Sequence, residues 1–480
     1  MTTIRIDFKG GVVSPEKLRV ISAVLNDFSV PEIFIGTRQN IYFHISDNLS
    51  GALTGKLDNS RIQYVILPAG VNNIVSSYAA VDIFTHNSWL NESIFKEVLD
   101  NFNESSAYKI NIVDISQGLF TAFEGDLVFI PSSHQNFWYL FIRNTVNEEF
   151  LCWPDLIYSL ELGPVAGHLE MYAGAINEIN INKIHDNIKA ELHYIFHSND
   201  VELKIPRYIP ANYEGIHRNG SLSWIGIKNK SDSYPVSFIN GLADLCTGTN
   251  VNNINLTTWK SILIKNISED DIIKWEILLG KYGINIRHSS LELIWKYEDS
   301  DNTALSLKKY LIEELDKTDV RSYGITFGIK TNPNSKIAAS IIIEVKSSAK
   351  SFGTPFFQHY NVYHTEDFNP NNQKIYFVGV YKSKRNLVKN IKLLLTQYYK
   401  SLEDLTVVHD PVPKKETQYW TPQRAHKCKH CYTIYDSEFG DIINGIEPGI
   451  SFENLPENYA CSLCGAPKEE FLTVRKILSK

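Results

Sequence analysis

Cysteine is scarce in this chain and unevenly placed. Six occur in 480 residues, and four of those fall between positions 428 and 464. So few thiols exclude a disulfide framework spread over the chain, and isolated Cys152 and Cys246 beside two CxxC pairs fit a reducing compartment. Long apolar runs are also missing. None reaches the roughly 18–20 residues needed to cross a bilayer, and the opening MTTIRIDFKGG alternates apolar and polar residues instead of forming the apolar stretch of a signal peptide. The expectation is a cytoplasmic protein without a membrane partner. An excess of positive charge is lacking too. The net charge of −7 argues against a general nucleic-acid binder. Methionine occurs only twice, while aromatics reach 12%, so cores built from Phe, Tyr, Ile and Leu are expected. With 43% hydrophobic and 21% charged residues and no biased tract, the chain reads as globular.

What is there begins with a strand pattern over Thr3–Phe8 and a turn at Gly10-Gly11. Ser14 and Pro15 then open a helix as N-cap and first residue. Leu18, Ile21, Val24 and Leu25 give that helix one apolar face, and Pro31 ends the segment. Strands are expected at Ile33–Ile35 and Ile41–Ile45, around Gly36-Thr37-Arg38-Gln39-Asn40. About 220 residues later the order recurs: a strand at Ser223–Ile227, a helix through Phe238, Leu242 and Leu245, then Thr258-Trp259-Lys260-Ser261 leading into Ile262-Leu263-Ile264. Later segments also correspond. Lys109–Ile115, Leu127–Pro131 and Trp138–Ile142 match Gly324–Lys330, Ile337–Val345 and Lys374–Tyr381. The spacing predicts an internal duplication, roughly 1–200 and 213–402, in an α+β body with pseudo-twofold symmetry. Asn386–Tyr399, with Leu387, Ile391, Leu394, Leu395 and Tyr398 on one face, predicts a helix closing the second copy. The polar, Pro-bearing stretch from Val408 to Glu416 reads as a linker.

The four clustered cysteines are Cys428, Cys431, Cys461 and Cys464. Two CxxC pairs can place four thiolates in a tetrahedron around one metal ion. The 29 residues between the pairs exceed the 15–20 usual for zinc ribbons of CxxC type. They carry Asp436, Glu438, Asp441, Glu447, Glu453 and Glu457, with no Lys or Arg. A segment this small buries too little apolar surface to fold alone, so metal ligation would supply folding free energy. Spacing alone leaves iron and zinc both open.

Further matches narrow the choice. Ile434-Tyr435-Asp436, Asn444-Gly445-Ile446, Pro448-Gly449-x-x-Phe452-Glu453-x-Leu455-Pro456 and Cys461-x-x-Cys464-Gly465-Ala466-Pro467-Lys468-x-x-Phe471 together resemble the rubredoxins over about 50 residues. The resemblance implies a mononuclear iron held by four cysteines and cycling between ferric and ferrous; a zinc-stapled scaffold without redox function is the alternative. Three positions depart from the family pattern. Tyr432 stands where a glycine usually follows the first pair, and Thr433 and His426 occupy positions that are usually aromatic.

The body resembles the siroheme-dependent nitrite and sulfite reductases, which are built from two such repeats. The carriers are Gly10-Gly11-Val12-Val13-Ser14-Pro15-Glu16-x-Leu18 and Gly36-Thr37-Arg38-Gln39-Asn40-Ile41-x-Phe43-His44, with Leu256–Ile264 in the second copy. The resemblance implies ferredoxin-like half-domains at 1–70 and 213–290 and siroheme-domain-like parts at 71–205 and 291–405. A linker at 406–422 and the rubredoxin-like module at 423–480 follow. That family holds a four-iron cluster with two cysteine pairs. Only Cys152 and Cys246 remain outside the module, far apart, so no such cluster is expected and siroheme is not expected as a working cofactor. Arg38 matches a family arginine near siroheme or substrate, Lys260 falls near the second copy's basic position, and Lys109 matches an active-site lysine whose neighbour is here Ala107. These three are the candidate remnant of an anion site; the plainer reading makes Arg38 and Lys260 solvated turn charges. No catalytic residue is assigned. The expected role is an electron carrier between a flavoprotein reductase donor and a nitrite/sulfite reductase-type acceptor, with the alternative of a siroheme-binding reductase of atypical ligation. Two weaker motifs are present. His193 and His197 could pair on a helix face, or lie in a strand as ordinary histidines, and Gly163-Pro164-Val165-Ala166-Gly167 reads as a turn.

Overall fold

In a computed structural model the chain divides into two compact units, Met1–Glu403 and Asp404–Lys480. The residues described are 1–68, 73–84, 87, 89–103, 106–144, 147–172, 181–318, 320–351, 354–406, 424–437 and 439–475. Of the expected linker, 407–422 lie outside them.

The body has the α+β class and the duplication that its sequence pattern predicts. Helix Pro15–Asp27 begins as expected: Ser14 Oγ accepts from the Lys17 N–H at 3.2 Å, and Pro15 occupies the first turn. Its counterpart Val236–Gly248 starts 221 residues later. The same offset relates Ser29 to Asn250, both in the left-handed region just past a helix end, and Gln39 to Lys260, both left-handed in a turn. Leu25 accordingly corresponds to Cys246, which is fully buried and fills an apolar position in the shared core.

What the sequence pattern does not show is how the copies join. Strand Val12–Val13 of the first copy pairs with Ile254–Leu256 of the second. In return, Ser233–Pro235 pairs with Glu32–Ile35. Each copy thus lends a short strand to its partner's five-stranded sheet. Gly11 makes the crossing practicable. Its φ is +73°, and a Cβ there would sit 2.5 Å from the Gln39 amide and 2.7 Å from the Leu256 carbonyl. The Gln39 amide bonds the carbonyls of Ser76 (3.1 Å) and Leu256 (2.8 Å) and accepts from the Ser76 N–H (2.8 Å), so one side chain ties both copies.

The remaining sheets repeat as well. Val75–Ser76, Ile110–Ile112 and Leu127–Pro131 run parallel, followed antiparallel by Phe137–Arg143 and Asp155–Tyr158. Trp295–Tyr297, Phe327–Lys330 and Ile341–Ser351 run parallel, followed antiparallel by Thr354–Thr365 and Ile375–Tyr381. Helix Lys384–Thr406 covers the second, burying Leu387, Ile391, Leu394, Leu395 and Tyr398 on one face. Gly163 to Gly167 is not a turn. It lies in helix Leu162–Met171, where Gly163 packs so closely that a Cβ would meet the Asn101 carbonyl at 2.1 Å. His193 ends the preceding helix in a left-handed conformation, and His197 stands on strand Phe196–Ser198, so the pair shares no helix face. His197 stacks instead on His134, with ring centroids 4.2 Å apart.

The small unit is a three-stranded sheet, Arg424–Cys428 between Ile434–Tyr435 and Phe471–Arg475. Tyr435, Phe452, Tyr459 and Phe471 form its aromatic core. His426 takes an aromatic place there after all: its ring stacks on Phe452 at 4.0 Å, nearly parallel.

Candidate metal centre

Two matching turns build the site. In the first, the Tyr432 N–H bonds the Cys428 carbonyl (3.1 Å) and the Cys428 N–H bonds the Thr433 carbonyl (2.8 Å). In the second, Gly465 N–H to Cys461 O (2.8 Å) and Cys461 N–H to Ala466 O (2.7 Å) repeat the pattern. The residue after each pair is left-handed, Tyr432 at φ +65° and Gly465 at +71°. Glycine adopts this at no steric cost, whereas Tyr432 pays roughly 1–2 kcal/mol. Its ring is 66% exposed and receives the Lys427 ammonium 4.4 Å from its centroid.

These turns bring the four sulfurs together. Cys428 and Cys464 Sγ are 3.6 Å apart, Cys431 and Cys461 Sγ 3.4 Å, and all four lie within 4.8 Å of one another. A tetrahedron with metal–sulfur bonds of about 2.3 Å has edges of about 3.8 Å, so the thiols fit one ion with little adjustment. The proton affinities diverge accordingly. Hydrogen bonds from the Thr433 hydroxyl and N–H pull the Cys431 thiol down to about 6. The Ala466 N–H pulls on Cys464, but burial and the neighbouring sulfurs outweigh it and push that thiol up to about 12. Four thiols this close cannot all ionise without a cation between them, and a thiolate-rich tetrahedral set suits iron or zinc.

The body treats its candidate cations differently. Arg38 is 9% exposed, not a solvated turn charge. Its guanidinium donates to the Asn73 carbonyl (2.6 and 3.2 Å), the Ile110 carbonyl (3.0 Å) and Asn111 Oδ1 (3.2 Å), and burial lowers its pKa to about 10. Lys260, 3% exposed, pairs with Asp299 at 2.5 Å; burial acts against its charge, yet Asp299 holds its pKa above the ordinary lysine value. Lys260 corresponds to Gln39, so the residue equivalent to Arg38 is Trp259. Lys109 is half-buried on the segment Arg38 contacts, and burial with the Arg38 charge lowers its pKa.

None of the three is among the residues lining a cleft of about 1080 Å3 walled by Arg5, Asp7, Lys9, Lys17, Arg61 and Asn73 among others. Arg5 is buried there and forks onto Asp7 at 2.8 and 3.0 Å. Sequence reasoning passed over this cleft. The available signal was the pair of charges two apart in the Thr3–Phe8 strand, which alternation places on one face. The body's two cysteines stand in unlike surroundings. Cys246 is sealed in the core, its thiol raised to about 12 by burial, while Cys152 is exposed on strand Phe150–Cys152 beside Asn199.

Comparison with known proteins agrees with the two units. The rubredoxin profile matches residues 425–471, and the profile for the nitrite/sulfite reductase ferredoxin-like half domain matches residues 1–48. Rubredoxin-2 of Chlorobaculum tepidum is 48% identical over 48 residues, which are 10% of this chain and 92% of that protein. High molecular weight rubredoxin of Moorella thermoacetica is 40% identical over 58 residues, or 12% of this chain; rubredoxin-1 of Pseudomonas putida is 39% identical over 51, or 11%. The matches span only 24% and 29% of those two proteins. In fold, the chain is similar to the Mycobacterium tuberculosis NirA protein, with a TM-score of 0.64 at 16% identity over 86% of this chain and 82% of that one. Through its C-terminal domain, joined to a nitrite/sulfite reductase-like body, the chain belongs to the rubredoxin family.

Proposed function

We propose that the protein is a one-electron carrier, and that its body serves as a docking scaffold instead of a catalytic core. The observation that carries this reading is the gathering of all four metal-competent thiols in the module. Bound there, iron would supply a ferric/ferrous couple. Cys428 and Cys461 are buried and Cys431 and Cys464 reach the surface, so one edge of the site is open to a partner. Phe471 packs against both the aromatic core and the cysteine cluster, which would hold the sulfur positions and keep geometric change on electron transfer small. The acidic stretch between the pairs would steer a donor with a basic face, of flavoprotein reductase type, and a nitrite/sulfite reductase-type enzyme would be the acceptor in the cytoplasm. No helix among the described residues is long and apolar enough to cross a membrane.

The same reading leaves the body without a four-iron cluster, since Cys152 and Cys246 are the only thiols it offers. No reaction step is assigned to siroheme. Three of the body's basic groups are engaged internally, Arg38 on carbonyls, Lys260 on Asp299 and Arg5 on Asp7, which supports a structural role for them. The test is a metal assay and visible spectrum of the protein from its native host, followed by reduction with a flavoprotein reductase and stopped-flow reoxidation. One iron per chain, ferric-thiolate bands and rapid reoxidation are expected. Tetrapyrrole absorbance would favour the reductase alternative, zinc alone would favour the scaffold, and iron that no physiological reductant reduces would defeat the carrier.

A further inference from the structure

The two turns around the metal site are built alike in backbone and differ in side chains. Where the second has Gly465 and Ala466, the first has Tyr432 and Thr433. At these two positions only the first turn offers a hydroxyl near its cysteine, Thr433 Oγ1 lying 3.0 Å from Cys431 Sγ, whereas Ser462 inside the second pair turns its hydroxyl to Asp441. A metal-bound thiolate has no proton to give, so in the loaded site the hydroxyl must be the donor and the sulfur the acceptor. The β-branched side chain restricts χ1, and Thr433 is partly buried, so the hydroxyl is held toward the sulfur instead of turning to water.

We propose that Thr433 raises the reduction potential of the iron centre by donating its hydroxyl to Cys431, making the two halves of the site electronically unequal. The inference rests on the iron reading above. Taking up one electron adds one negative charge to the site without a proton, and that charge is shared by the four sulfurs. A hydrogen bond to sulfur strengthens as the sulfur becomes more negative, so it favours the reduced form, as hydrogen bonds to sulfur do in iron–sulfur centres generally. At Cys464, equivalent to Cys431, the matching contact is the Ala466 N–H, and the Ala466 side chain is a methyl with no proton to donate. Nearby cations do not substitute for the hydroxyl. Lys427 lies over the exposed Tyr432 ring and Lys429 pairs with Glu470 at 3.0 Å, both in reach of solvent screening. The position of Thr433 is thus one whose chemistry sets how strongly the carrier holds its electron, and hence which donors can load it.

The test compares midpoint potentials of the full-length, iron-loaded protein by spectroelectrochemistry, with the sulfur-to-iron charge-transfer bands read alongside. Thr433→Val keeps the shape and removes the donor. The equilibrium constant for reduction should fall by roughly tenfold, which is about 59 mV for one electron, and the charge-transfer bands should shift. Thr433→Ser should stay close to wild type. Ala466→Ser places a hydroxyl at the matching position of the second turn and should move the potential upward. If Thr433→Val fails to take up iron, the Ser substitutions decide: no upward movement with Ala466→Ser overturns the inference. Unchanged potentials in iron-replete Thr433→Val overturn it as well while leaving the carrier intact. A wild-type centre that cannot be reduced overturns both.

Discussion

In the module, four thiols converge on one point as a metal-competent set, whereas in the body Arg38 and Lys260 are each enclosed by their own acceptors. Both arrangements bring polar groups out of water, and burial without compensation is costly in either place. The body compensates from within, and its folding should need no ligand at those positions. The module has left its compensation to an ion. A cluster that is incomplete as it stands marks a site; a cluster that is complete marks a structural joint. That distinction separates the two units more sharply than their sequence resemblances do.

The largest effect should come from taking the ion away. Chelation after reduction, or Cys461→Ser at a buried ligand, should unfold the module, since metal binding in small four-ligand sites is worth on the order of 10 kcal/mol of folding free energy. Far-UV signal from the body and its thermal transition should remain. Loss of the module's aromatic near-UV signal together with metal content checks this, and a body that melts with it would erase the contrast. The next effect concerns the body's joints. Asp299→Asn leaves the Lys260 ammonium buried without its counter-charge and removes an acceptor from the Thr37 N–H. Urea unfolding should show about 3–5 kcal/mol lost from the body, with the iron spectrum unchanged. Adding Lys260→Met should recover part of the loss, because it removes the stranded charge.

A smaller, pH-dependent effect follows from Lys228. It is buried, bonds the Trp259 carbonyl at 2.7 Å and pairs with Asp232, yet burial lowers its pKa to about 8. Between about pH 8 and the ordinary lysine value the unfolded chain therefore holds a proton that the folded body has released. Stability contributed by this group should rise with pH across that window, because the unfolded state binds more protons there. Lys228→Met should flatten that part of the stability–pH curve. A wild-type curve already flat from pH 8 to 10 would show that Asp232 holds the charge fully.

How much of this was legible beforehand depended on the kind of signal. The four ligands were readable because metal chemistry demands close spacing along the chain, Cys428-x-x-Cys431 and Cys461-x-x-Cys464. The duplication was readable at each copy's start because strand and helix periodicities survive wherever a core must be filled. The burial of Arg38 was not. Its acceptors, Asn73 and Ile110, lie 35 and 72 residues away, and nothing local distinguishes a solvated turn charge from a buried joint. The reciprocal strands were hidden for a different reason. Val12-Val13 and Ser233–Pro235 are too short to show alternation, and their partners belong to the other copy. In the sequence Thr433 is only a departure from an aromatic position; its distance to Cys431 depends on the folded turn.

The smallest effect tests what joins the two copies. Helices Pro15–Asp27 and Val236–Gly248 pack together, and their most visible link is polar: Arg19 bonds Asp244 and Thr247, each at 3.0 Å, and also pairs with Glu16. Asp244 is more than half exposed, so solvent screens the pair and its two flexible side chains lose entropy in forming it. Asp244→Ala should cost less than about 1 kcal/mol, and added salt should shrink even that. Leu242 lies fully buried in the core that both copies share, and Leu242→Ala should cost about 2–5 kcal/mol. Equilibrium unfolding of the two variants, at low and high salt, gives the comparison directly. A larger loss from Asp244→Ala would mean that charge registers the copies. The expected order means that apolar burial does, leaving the helix charges free to vary.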